Sequence, residues 1–119
     1  MNCNTILIVE DDRDIRESLI SLLELEGYDA HGAPDGKAAL DTLPTLARPC
    51  LILLDLMMPV MDGWQFLALK DKDVSIAPIP VVVISALDPA SRPAVNASGF
   101  MRKPLDFDLL LGFVKRYCA

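Results

Sequence analysis

The sequence predicts an α/β fold, a parallel sheet with helices on both of its faces. Two observations carry this. Strand-like and helix-like segments alternate along the whole chain, and the clearest strand segments are apolar at every position rather than at every second one. Alternation implies crossover connections and therefore parallel pairing. Strands covered on both faces read as unbroken apolar runs.

Thr5 to Glu10 is a short apolar run ending in acid, read as a buried strand. Asp12 or Arg13 then opens a helix with Ile15, Leu19, Leu22 and Leu23 on one face, and Gly27 stops it. Tyr28 to Gly32 is a weak second strand. Asp35 to Leu43 is a short helix whose Ala38 and Ala39 allow close packing on a sheet. Cys50 to Asp55, apolar until its last residue, is the central strand. A loop with Pro59 and Gly63 leads to a helix from about Trp64 to Lys72. Pro80 to Ser85 is a valine-rich strand, Gly99 to Arg102 a short one, and Asp106 to Tyr117 an amphipathic closing helix.

At 119 residues and 52% hydrophobic composition, the chain suits one compact domain over 1–119. A net charge of -6 argues against a nucleic-acid surface, which needs a basic face. The runs Leu51 to Leu54 and Pro80 to Ile84 are far too short to span a bilayer. Met1 to Thr5 shows no secretion signal. Cys3, Cys50 and Cys118 make an odd count without CxxC spacing, so free thiols in a reducing cytoplasm are expected.

In open parallel sheets, ligands bind beyond the carboxyl ends of the strands. The first strand ends in Glu10-Asp11-Asp12, the third in Asp55, the fourth in Ser85, and the fifth runs into Lys103-Pro104. Crowded carboxylates repel unless a cation sits among them. An all-oxygen donor set suits Mg²⁺ or Mn²⁺. A lysine and a hydroxyl on the same rim suit a phosphoryl group, whose oxygens need donors and positive charge. A carboxylate can itself be the nucleophile and form an acyl phosphate. Asp55 is the best candidate, because it ends the central strand directly before a loop.

Four segments then resemble the successive signatures of response-regulator receiver domains. They are Ile6-Leu7-Ile8-Val9-Glu10-Asp11-Asp12, Leu54-Asp55-Leu56-Met57-Met58-Pro59-Val60-Met61-Asp62-Gly63, Val83-Ile84-Ser85-Ala86 and Arg102-Lys103-Pro104-Leu105. The resemblance covers nearly the whole chain and implies a flavodoxin-like doubly wound sheet in the order 2-1-3-4-5. It implies Asp55 as phosphoacceptor and as a metal ligand, with Asp11 binding the metal directly and Glu10 helping. It further implies the backbone carbonyl of Met57 as a ligand and Lys103 paired with the phosphoryl oxygens. Ser85 and Phe100 take the family's switch positions, and Lys103-Pro104 is expected to be cis. The resemblance implies a histidine kinase or a phosphotransfer protein as the donor. The downstream target is a protein that the sequence does not name.

Between Ser85 and Lys103 the chain is short by about one helical turn of roughly four residues. Pro89 and Pro93 also interrupt the segment from Ala86 to Ser98. A shortened or irregular fourth helix is expected, and with it a monomer. The readings weighed against this one are a phosphohydrolase, a phosphorylation-independent pseudo-receiver, and a receiver cut from a larger regulator or hybrid kinase. A phosphohydrolase needs an acid two residues after its nucleophile, where Met57 stands. The domain is thus expected to catalyse only its own phosphorylation and dephosphorylation. Asp12 is read as a helix cap, Asp62 as shaping the loop with Gly63, and His31 has no role.

Overall fold

A computed structural model describes residues 3–86 and 97–118. Its elements run β1 (Thr5–Val9), α1 (Arg13–Leu25), β2 (Asp29–Ala33), α2 (Gly36–Thr42), β3 (Leu51–Asp55), α3 (Gly63–Lys72), β4 (Val81–Ser85), β5 (Gly99–Arg102) and α4 (Phe107–Tyr117). The strands form one five-stranded sheet in the order β2-β1-β3-β4-β5, with every neighbouring pair parallel. This is the flavodoxin-like order expected.

Each of α1 to α4 opens on an aspartate whose carboxylate accepts backbone N–H groups of the first turn: Asp12, Asp35, Asp62 and Asp106. Such caps satisfy donors that the helix leaves unpaired, and the negative charge suits the N-terminal end of the dipole. Gly27, at φ 91°, ends α1 in a conformation that side chains rarely adopt.

Alternation along the strands divides the core. Ile6, Ile8, Leu51, Leu53, Val82 and Ile84 pack with Leu19 and Leu23 of α1 and with Leu110 and Val114 of α4. Leu7, Val9, Ile52, Leu54 and Val83 pack on the other face with Ala39, Phe66 and Leu67. So α1 and α4 cover one face, and α2 and α3 the other. The edge strand β2, Asp29-Ala30-His31-Gly32-Ala33, buries only Ala30 and Ala33, which explains its weak signal.

Three expectations change. Leu22 is 39% exposed, while Leu19 and Leu23 carry the contact of α1 with the sheet. The helix expected to reach Leu43 ends at Thr42 and tightens into a 3₁₀ turn over Leu43–Thr45, because Pro44 cannot donate the next helical hydrogen bond. The largest change concerns the cysteines: Cys50 and Cys118 are joined in a disulfide with a Cα–Cα distance of 5.4 Å, and only Cys3 is free. Cys50 leads into β3 and Cys118 caps α4, and both face the same cluster. Residues 68 apart in sequence therefore meet within bonding range. The expected shortened fourth helix concerns 86–98, of which 87–96 lie outside the described residues. Among the described residues no helix is long and apolar enough to cross a membrane.

Candidate functional site

Register and alternation build the site. β1 pairs Val9 with Leu54, so Glu10, one residue on, stands beside Asp55. Glu10 continues the parity of Ile6 and Ile8, and Asp55 that of Leu51 and Leu53, so both side chains leave the sheet on the α1/α4 face. Lys103 continues the parity of Met101, on the same face, and its N–H donates to the Ser85 carbonyl at 2.8 Å. Three strand ends thus deliver two carboxylates and an ammonium to one point. Carboxylate oxygens of Glu10, Asp11 and Asp55 lie within 4.8 Å of one another.

Lys103 Nζ donates to Glu10 Oε1 at 2.5 Å and to Asp55 Oδ2 at 3.4 Å. Glu10 is fully buried and Asp55 nearly so, whereas Asp11 is exposed. Burial pushes the Glu10 carboxyl up to about 8, with its hydrogen bond and charge repulsion toward Asp55 adding to the rise and Lys103 opposing it. For Lys103, burial works against the charged form, but Glu10 and Asp55 outweigh it and the ammonium is held above its ordinary range. The pair therefore stays protonated on lysine, and Glu10 resists ionising until more positive charge arrives. An all-oxygen set of three clustered carboxylates fits a hard divalent cation such as Mg²⁺.

The loop after Asp55 is held by close packing. The Gly63 N–H donates to the Leu56 carbonyl at 3.0 Å. A Cβ on Gly63 would come within 2.7 Å of both the Asp55 carbonyl oxygen and Leu56 Cα, so only glycine fits. Asp62 caps α3 reciprocally with Gln65. Met57 is exposed, and its N–H donates to Asp55 Oδ1 at 3.3 Å. Val60 sits at φ 68°, unusual for a branched side chain.

Ser85 is buried at the end of β4. It continues the parity of Val83, which pairs with Phe100 in β5, and Val83 and Phe100 pack in the α2/α3 cluster. The two expected switch residues thus belong to the opposite face of the sheet from Glu10, Asp55 and Lys103. Asp12 is the α1 cap, as expected. His31 lies in β2 with Nε2 3.1 Å from Asp29 Oδ2. The Lys103–Pro104 peptide is cis. A cavity of about 500 Å³ lined by Leu43, Leu46, Ile76 and Ile79 opens at the amino ends of the strands and takes no part in the site. Sequence reasoning missed Arg16, whose Nη1 donates to the Glu10 carbonyl at 2.7 Å. No motif marks an arginine one turn into a helix.

Comparison with known proteins agrees with this geometry. The family model described as "Response regulator receiver domain" matches residues 6–115. The protein Rrf1 of Nitratidesulfovibrio vulgaris is 33% identical over 114 residues, covering 96% of this chain and 82% of Rrf1. The response regulator MprA of Mycolicibacterium vanbaalenii is 34% identical over 110 residues, 89% of this chain but 46% of MprA. The chain thus spans about half the length of MprA and most of Rrf1. A crystal structure of the response regulator TrrA from Thermotoga maritima, in complex with Mg²⁺–BeF, superposes with a TM-score of 0.82 at 27% identity, covering 96% of this chain and 98% of that one.

The chain belongs to the response-regulator receiver family and is a receiver domain of two-component signalling. The family is one of signalling modules.

Proposed function

We propose that residues 1–119 form one receiver domain in which Asp55 accepts a phosphoryl group in a Mg²⁺-dependent reaction. The observation that carries this is the convergence of Glu10, Asp11 and Asp55 within 4.8 Å, with Lys103 donating to two of them. Further support comes from TrrA, whose structure is in complex with Mg²⁺–BeF, the beryllium fluoride group being a stand-in for a phosphoryl group. Nothing favours Mn²⁺.

The donor is a phosphohistidine on a histidine kinase or phosphotransfer protein. An Asp55 oxygen attacks phosphorus as the P–N bond breaks, and the electron pair returns to the imidazole. Mg²⁺, when bound, neutralises charge on the transferring group. Glu10, Asp11 and Asp55 would hold it, with the Met57 carbonyl as a further ligand. Lys103 donates to the phosphoryl oxygens. Ser85 stands one residue beyond Ile84, the partner of Asp55, and from that strand end it would hydrogen-bond to the phosphoryl group and, with Phe100, shift the surface that a downstream protein reads. The domain catalyses its own phosphorylation and dephosphorylation and turns over no outside substrate. It acts as a monomer, in the cytoplasm, where the Cys50–Cys118 bond is uncommon chemistry. The same residues serve equally as the receiver of a longer regulator, since MprA is about twice the length of this chain.

Intact-mass measurement after incubation with acetyl phosphate and Mg²⁺ tests the assignment. Wild type gains one phosphoryl group; Asp55→Ala gains none, and a chelator abolishes the gain. Undiminished labelling of Asp55→Ala would refute it. Sedimentation of the phosphorylated chain tests the monomer.

A further inference from the structure

We infer that Arg16 is a positioning residue for the site, and that Gly32 is the vacancy that seats it. The inference rests on the reading of Glu10 and Asp11 as metal-binding carboxylates. Arg16 lies one turn into α1, its own N–H donating to the Asp12 carbonyl at 2.9 Å. Helical side chains lean toward the N-terminus, so the guanidinium reaches back to the end of β1. There Nη1 donates to the Glu10 carbonyl at 2.7 Å. On the other side of the same residue, the Glu10 N–H donates to the Ala33 carbonyl at 3.0 Å. Glu10 is therefore held at both backbone polar groups.

The Glu10 carbonyl and the Asp11 N–H belong to one planar peptide unit. A bond that fixes the carbonyl fixes the whole plane, and with it the directions in which the chain leaves toward both side chains. One of these is buried and the other exposed, yet their oxygens come within 4.8 Å of each other and of Asp55. Arg16 thus acts through the peptide between two of the three carboxylates, its guanidinium bonded to backbone rather than to a carboxylate oxygen.

The path of the side chain depends on β2. Gly32 pairs with Ile8, and a Cβ there would come within 2.9 Å of Arg16 Cδ, 3.0 Å of Arg16 Cγ and 2.9 Å of Ile20 Cδ1. The Ile20 contact is with the end of a side chain that can turn away. The Arg16 contacts are with the middle of a stem anchored at its far end. Glycine at this position keeps the stem's route open.

Electrostatics gives the test a sign. Removing a positive charge close to three carboxylates would, by charge alone, strengthen cation binding. Loss of positioning weakens it. Calorimetric titration with MgCl₂ separates the two, with a thermal midpoint for every variant as a check on folding. Arg16→Met keeps the apolar stem and loses the donor; it should weaken Mg²⁺ binding about tenfold, the usual scale for partners that orient metal ligands. It should also move the Asp11 amide resonance in the metal-free protein. Gly32→Ala should weaken binding in the wild-type background and cost nothing further in Arg16→Ala, where the space is vacated. Mg²⁺ binding in Arg16→Met that is equal to or tighter than wild type would overturn the inference, as would a Gly32→Ala loss of the same size in both backgrounds. A wild-type chain that binds no Mg²⁺ would instead overturn the reading of the site itself, as Asp11→Asn binding as well as wild type also would.

Discussion

Reducing the Cys50–Cys118 bond should cost this protein a large share of its stability while leaving the native fold intact. The bond joins residues 68 apart. Closing a loop of that size removes unfolded-state entropy of about 15 cal/mol/K, or about 4.4 kcal/mol at 25 °C, on the chain-entropy account. Domains of this kind have only about 5–15 kcal/mol in total. The native side of the balance should barely move. Both sulfurs are buried in the cluster that holds Leu110 and Val114, and a buried thiol packs as a small hydrophobe. Urea unfolding with and without a phosphine reductant, followed by far-ultraviolet circular dichroism, measures the difference. The reduced chain should also show a steeper denaturant dependence, because its unfolded state exposes more surface. Alkylation in denaturant verifies the bond state: one adduct, at Cys3, before reduction and three after. Oxidised and reduced forms within about 1 kcal/mol of each other would refute the entropic reasoning. Three adducts without reductant would refute the bond.

Val60 is 77% exposed and sits at φ 68°, so Val60→Gly loses little packing and relieves a left-handed branched residue. It should raise stability by about 0.5–1 kcal/mol after the extra chain entropy of glycine, and a lower thermal midpoint would count against this. Gly63→Ala forces a Cβ against the Asp55 carbonyl and Leu56 Cα. A loss of about 1–3 kcal/mol and slower labelling by acetyl phosphate are expected; unchanged stability would mean the loop yields more easily than its backbone contacts suggest. Glu10 has its folded value raised to about 8 from 4.5. Its contribution is therefore fully present below pH 4.5 and is lost as pH rises through about 8. In a chelator, wild type should lose stability relative to Glu10→Gln across that range. Stabilisation by Mg²⁺ should grow over the same range, because metal and proton compete for the carboxylate. Parallel pH curves for the two proteins would contradict the shift.

What was legible in the sequence follows from where local and global preferences coincide. β1, β3 and β4 are covered on both faces, so their apolar runs needed no partner to be recognised. The starts of α1, α2 and α4 were visible because an aspartate cap acts within one turn, whereas Asp62, read as shaping the loop, proves to be the cap of α3. The rim followed from a rule about strand ends, without any knowledge of register. The disulfide was invisible for the opposite reason: nothing near Cys50 or Cys118 in sequence reports that the end of α4 meets the start of β3. Arg16 and Gly32 were hidden in the same way, since each is ordinary until α1 lies on β2. Buried Lys70, which donates to the Ala77 carbonyl at 2.8 Å, resembled any surface lysine of a helix.

Lys103 was expected on a phosphoryl group, yet its shorter bond is to Glu10. The difference has a reason in charge balance. Three carboxylates meet here and one ammonium stands among them. The buried member, Glu10, depends most on that ammonium whenever it ionises, because burial leaves no water to share the charge. Under the proposed reading, a phosphoryl group on Asp55 would add negative charge beside the longer of the two bonds. Lys103 could then turn from Glu10 to the phosphoryl oxygens if Glu10 kept a proton, which its burial favours, or if other positive charge stood beside it. Under the same reading, a divalent cation would let Lys103 leave Glu10 with that group still ionised.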